Sequence, residues 1–74
     1  MIHQYFKKDF GDFKIIVQLN PKTFEGVELT IHLNKEIERR TIQFDGEIYA
    51  DLEEDKFTNA SPLEFNLYLN GISD

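Results

Sequence analysis

The chain contains no cysteine, which removes disulfides, thiolate metal sites and cysteine nucleophiles together. A small fold without such staples suits a reducing interior. No apolar stretch approaches the roughly 20 residues that a membrane-spanning helix needs. The opening segment, Met1-Ile2-His3-Gln4-Tyr5-Phe6-Lys7-Lys8, lacks the apolar core of a signal peptide. A cytoplasmic protein without a membrane partner is expected. On that reading the glycosylation acceptor Asn59-Ala60-Ser61 is idle.

Catalytic signatures are missing as well. There is no glycine-rich phosphate loop, no serine in a nucleophile elbow and no paired His-Glu helix motif. Ser61 and Ser73 are the only serines, and Ser61 has a capping role. Carboxylates abound, but abundance without a pocket is not acid–base chemistry. Asp51-Leu52-Glu53-Glu54-Asp55 lacks the spacing and glycine of a calcium loop and reads as a solvated acidic linker. His3 and His32 are the only histidines and fall on different strands. No enzyme, cofactor or metal is expected.

What is present suits one small folded domain over residues 1–74, with 41% hydrophobic and 14% aromatic residues. The net charge of −6 and pI near 4.7 disfavour nucleic acid and anionic membranes as partners, without excluding nucleic acid. No internal repeat, linker or low-complexity tract interrupts the chain.

Phe13, Ile15, Val17 and Leu19 alternate with Lys14, Ile16 and Gln18, and Val27, Leu29, Ile31 and Leu33 resume the period after the turn at residues 20–26. Setting Leu19 opposite Val27 places Val17 by Leu29 and Ile15 by Ile31 on one apolar face. A four-residue loop at 34–37 then sets Leu29 by Ile42 and Val27 by Phe44. A two-residue turn at Asn34-Lys35, which sets Arg40 against Leu29, is the less favoured alternative. Asp45-Gly46 signals another hairpin. A three-residue loop at 44–46 with a left-handed glycine pairs Ile42 with Ile48, giving a row of Val17, Leu29, Ile42 and Ile48. Residues 2–8 supply a further strand beside residues 13–19, with a loop at 9–12. Its register stays open because Tyr5 and Phe6 point opposite ways. Residues 52–59 form an acidic connection.

The last segment has both ends marked as a helix over 61–71. Ser61 caps it, Pro62 sits where a missing N–H costs nothing, Glu64 completes a capping box and Gly71 leaves it in a left-handed conformation. Phe65, Tyr68, Leu69 and Ile72 fit helical spacing. Leu63, Phe65, Leu67 and Leu69 also alternate as a strand would, but the caps and the lack of β-branched residues favour the helix. The fold class is therefore α+β, an antiparallel meander of about five strands with one C-terminal helix across one face.

With that helix on the apolar face, the opposite face would show Lys14, His32, Arg39 and Asp51 in one row, and Ile16, Thr30, Thr41 and Tyr49 in the next. Lys14, His32 and Arg39 could hold a phosphate or carboxylate, with Tyr49 stacking on a base or a partner. A solvated sheet face whose polar pairs keep it soluble is the plainer account, and Asp51 beside Arg39 suits it. Arg40 is placed on the core side near an edge, its stem covering apolar surface.

The leading expectation is a noncatalytic interaction module that binds another protein or itself through its exposed sheet face or edge, with Lys14, Ile16, His32, Arg39 and Tyr49 as binding candidates. The alternatives are a weak single-stranded nucleic-acid binder using the basic and aromatic corner, or an accessory subunit of a larger enzyme.

Overall fold

Four strands run back and forth without interruption: β1 (Gln4–Asp9), β2 (Phe13–Leu19), β3 (Glu25–His32) and β4 (Ile37–Gln43). Helix α1 (Ile48–Glu54), strand β5 (Thr58–Asn59) and helix α2 (Pro62–Ile72) follow. This computed structural model describes residues 2–72, without the Ile72 side chain. The inward side chain of Ile72 expected from helical spacing is therefore not described, and Ser73 falls outside the described residues. The antiparallel sheet has the order β4-β3-β2-β1-β5, and the fold is α+β.

The strands lie where the alternation put them, but the register differs by one residue. Leu29 pairs with Ile16 rather than Val17, and Gly26 rather than Val27 faces Leu19. The cause is the turn. Phe24 takes a left-handed backbone (φ 60°), its N–H donates to Asn20 O at 2.8 Å, and Asn20 N–H donates to Glu25 O at 2.8 Å. That tightens the loop to residues 21–24. In the next turn Lys35 is left-handed (φ 71°). Lys35 N–H donates to His32 O, and His32 N–H donates to Glu36 O. A three-residue loop with a left-handed third position results, so Leu29 meets Arg39 and neither register expected from the sequence forms. A one-residue slip exchanges the two faces of a strand.

The expected Asp45-Gly46 hairpin does not form either. Ile48, Tyr49 and Ala50 open a helix in which Ile48 and Leu52, one turn apart, are both buried. Gly46 is not left-handed, and Asp45 Oδ1 accepts Glu47 N–H at 3.0 Å just ahead of α1. Lys56 (φ 63°) ends the helix. Lys56 N–H donates to Glu53 O and Phe57 N–H to Leu52 O, the paired bonds of a Schellman closure, with Phe57 and Leu52 in the same apolar cluster. Part of the expected acidic linker is therefore helix. The fifth strand is Thr58–Asn59, paired with β1 at the opposite edge from β4.

Each face of the sheet has its own core. On one, Phe65 of α2 seats on Ile16 and Leu29, all three fully buried, with Tyr5, Val27, Ile31, Ile37, Tyr68 and Leu69 around them. On the other, α1 covers one end, where Leu19, Ile48 and Leu52 gather Phe6, Phe24, Phe44 and Phe57. Each fully buried large side chain contributes roughly 1.5–3 kcal/mol over exposure.

The N-terminus of α2 forms as the sequence indicates, with Glu64 N–H donating to Ser61 Oγ at 3.1 Å. The reciprocal half of the capping box is absent, because the Glu64 carboxylate reaches Lys7 and Lys14 on the sheet. Gly71 lies inside the helix instead of leaving it, and a Cβ there would meet Ile37 Cδ1 at 3.4 Å.

Two substitutions test this packing. Ser61→Ala is expected to lower unfolding free energy by about 1 kcal/mol, read as a lower urea midpoint at unchanged slope. Gly26→Ala is expected to destabilise more, because its Cβ would sit 2.9 Å from the Gln18 carbonyl and on the Phe44 ring. A thermal midpoint equal to wild type would contradict the close packing of Phe44 over Gly26.

Candidate functional site

The five residues selected from the sequence do not share a surface. Face assignments follow from pairing, since directly opposed residues project to the same side. Lys14 lies in a row with Asp9, Ile31 and Ile37, and Ile16 in a row with Lys7, Leu29 and Arg39. Both rows belong to the face that α2 covers. Ile16 is fully buried beneath Phe65 and so cannot belong to an exposed contact face. Arg39 is on that face but exposed, at the β4 end. His32 projects to the other side, its Nε2 3.3 Å from Glu38 Oε1, shielded from water and off the line of a hydrogen bond. Tyr49 rides on α1. Its hydroxyl donates to Gln4 Oε1 at 2.6 Å, and its ring lies edge-on to Phe6 and Phe24. Asp51 is also on α1, away from Arg39's strand. Arg40 is exposed rather than covering a core, with Nη1 3.7 Å from Glu28 Oε1.

Lys14 instead joins a cluster that the sequence reading missed. Glu64 stands between two ammonium groups, with Lys7 at 2.9 Å and Lys14 at 3.7 Å. Lys14 also donates to Tyr68 Oη at 3.2 Å. That hydrogen bond, followed by the charges of Tyr68, Glu64 and Asp9, holds the Lys14 ammonium above its usual 10.5 against the opposing effect of burial. The cluster ties two turns of α2 to β1 and β2. Its cations already have internal partners, so it reads as a latch. The one available sequence signal was that Glu64 and Tyr68 stand one helical turn apart.

On the face that α1 half covers, Phe10 stacks on Phe13 with ring centres 4.8 Å apart, and Lys8 Nζ sits 4.7 Å over Phe10. Phe57 closes on Phe10 from the side of α1. The rings therefore pack largely against one another. A shallow groove of about 460 Å³ is lined by His3, Gln4, Tyr5, Phe6, Tyr49 and Pro62, and the Tyr5 and Tyr49 hydroxyls in it are already hydrogen-bonded to Gln18 and Gln4. Among the described residues, no group of three or more His, Asp or Glu could hold a metal ion, and no helix is long and apolar enough to cross a membrane.

What remains is the outer edge of β4. No strand lies beyond it among the described residues, and Glu38, Arg39, Arg40, Thr41 and Gln43 are all exposed. Its hydrogen-bonding parity follows from the two ends of the β3–β4 ladder. His32 N–H donates to Glu36 O, and Phe44 N–H donates to Phe24 O. Alternation then turns the main chain of Glu38, Arg40 and Ile42 toward β3, and that of Ile37, Arg39, Thr41 and Gln43 outward. The opposite edge is short: β5, two residues long, pairs with Phe6 and Lys7, and Ala60 N–H donates to Tyr5 O at 2.9 Å. The sequence reading named a free edge but not which one.

A scan against protein-family models, a search of curated proteins and a search of solved structures each find no match to this chain.

The latch yields a pH prediction. A group held above its ordinary value stabilises the fold fully below that value, and the contribution is lost as pH rises through the folded-state value. Tyr68→Phe should therefore lower the Lys14 titration midpoint, followed by NMR of its side-chain carbons, and reduce the stability lost above pH 10.5. An unchanged Lys14 midpoint would show that the Tyr68 hydrogen bond is not the main cause.

Proposed function

We propose that this protein is a noncatalytic interaction module that recruits an extended segment of another chain along the outer edge of β4. The observation that carries this reading is a seven-residue strand at the end of the sheet, exposed at five positions, with its outer main-chain groups unpaired by any other described strand. Main-chain hydrogen bonds supply the affinity of strand addition, and alternate side chains supply its selectivity. Most native edges are short, covered or bulged, as β5 and Ala60 make the far edge here. β4 keeps its length and regular pairing, and its only protection is charge.

An accessory subunit of a larger enzyme is the same reading with the enzyme as partner. The nucleic-acid reading loses its support, because Lys14, His32, Arg39 and Tyr49 are distributed over both sheet faces and α1.

The test uses Thr41→Pro. Thr41 N–H points away from β3, so proline removes an outward donor and leaves the bonds to β3 in place. A displayed library of short peptides, selected against the full chain, should yield extended segments that bind it. Thr41→Pro, with its circular dichroism unchanged, should weaken that binding about tenfold or more. With the chain dilute enough to be monomeric, failure to select any segment, or equal binding by the variant, would overturn the reading.

A further inference from the structure

The geometry points to a second copy of this chain as the segment that β4 recruits. The two β4 strands would pair antiparallel about a two-fold axis at Arg39, giving one continuous ten-stranded sheet. This inference rests on the strand-addition reading above and adds the partner and the register.

The choice follows from symmetry and charge. A two-fold axis perpendicular to the sheet keeps each face continuous, so it must pass through a residue position and pair residues of equal parity. Three centres keep the axis near the middle of Ile37–Gln43. With the axis at Glu38, that residue faces itself, Ile37 faces Arg39, and the only unlike pair, Glu36 with Arg40, uses a residue that precedes the strand. With the axis at Arg40, arginine faces arginine, Arg39 faces Thr41, Glu38 faces Ile42, and no opposite-charge pair forms. With the axis at Arg39, Glu38 faces the second copy's Arg40 and Arg40 faces its Glu38, while Ile37 and Thr41 face each other twice. Only this register opposes unlike charges twice within the strand itself.

The side chains already stand on the required face. Arg40 pairs across β3 with Glu28, and Glu38 lies beside His32, all on the side away from α2. Each row would then read Glu28, Arg40 and the second copy's Glu38, with alternating sign across the seam. The outward main-chain groups of Ile37, Arg39 and Thr41 supply the main-chain bonds. The one unfavourable contact is Arg39 opposite its own copy on the α2 side. Both guanidinium groups are exposed there and can splay into water.

The absence of cysteine makes the seam directly measurable. Arg39→Cys places the only thiol of each chain at the axis, where opposed Cα atoms would be about 5.5 Å apart, within disulfide range. Oxidation of the full-length variant should convert it to a covalent dimer, whereas Gln43→Cys, which would lie opposite Lys35 beyond the strand, should stay monomeric. In light scattering, the wild type should dimerise with rising concentration. Arg40→Glu should raise the dissociation constant about tenfold, and the double swap Glu38→Arg with Arg40→Glu should recover most of that loss. Both charge variants place an acidic group opposite Glu28, so that repulsion within the chain cancels from the difference between them.

A wild type that stays monomeric to about millimolar concentration, with Arg39→Cys resisting oxidation, would overturn the inference. So would a dimer that Arg40→Glu leaves unchanged, or one that cross-links through Gln43→Cys instead. Peptides that still bind and are lost in Thr41→Pro would then leave the module reading standing with a different partner. Failure of both experiments would remove both.

Discussion

Ile16 and Val17 are neighbours in the chain, project to opposite faces of the sheet and are both removed from water. A strand that buries consecutive side chains must be covered on both sides, so β2 cannot belong to a sheet with one wet face. That constraint orders the rest. β2 takes the centre, with β1 and β3 beside it, and a helix is needed on each face. Phe65 brings α2 onto Ile16 and Leu29, while Ile48 and Leu52 bring α1 onto Leu19. Once both faces hold a helix and two-residue β5 covers part of β1, the longest strand side without a partner strand among the described residues is the outer side of β4.

The elements that carry their own local signal were legible. Period-two alternation located β2 and β3, and Ser61 and Pro62 located the start of α2, because caps and periodicity act over a few residues. Register was not legible, because it depends on turn geometry, and both wide turns are built on left-handed residues that are not glycine. Phe24 in particular is a bulky residue at φ 60°, which no composition rule anticipates. Its ring packs against the Leu19, Ile48 and Leu52 cluster and lies edge-on to Tyr49, contacts that offset the strain of that conformation. A single-residue slip then moved Ile16 from the expected wet face to the centre of the core, and the candidate surface dispersed with it.

The same dependence explains α1. Ile48 and Ala50 alternate, and Asp45-Gly46 is a strong hairpin signal, so a strand was the natural local reading. Ile48 and Leu52 also stand one helical turn apart, and that spacing prevails because the second face of β2 has to be covered. A demand created by β2 is met more than thirty residues later in the chain. Local propensity over seven residues cannot register a demand of that kind. The lysine latch was hidden for a related reason: Lys7, Lys14, Glu64 and Tyr68 become neighbours only once α2 has a seat, and the seat is set by the register.

Charge on β4 has two consequences that pull in opposite directions. Charged side chains on an edge strand deter indiscriminate pairing, because an apolar or like-charged strand leaves the arginines unmatched. A strand offering a carboxylate opposite Arg40 and a cation opposite Glu38 escapes that penalty, and β4 itself is such a strand when reversed about Arg39. The net charge of −6 keeps copies apart at long range, whereas Ile37–Gln43, with two arginines and one glutamate, carries a local charge of +1. Long-range repulsion and short-range complementarity together favour a slow, selective encounter over aggregation. On the proposed pairing, the edge is guarded against most strands by the same residues that define the one it fits.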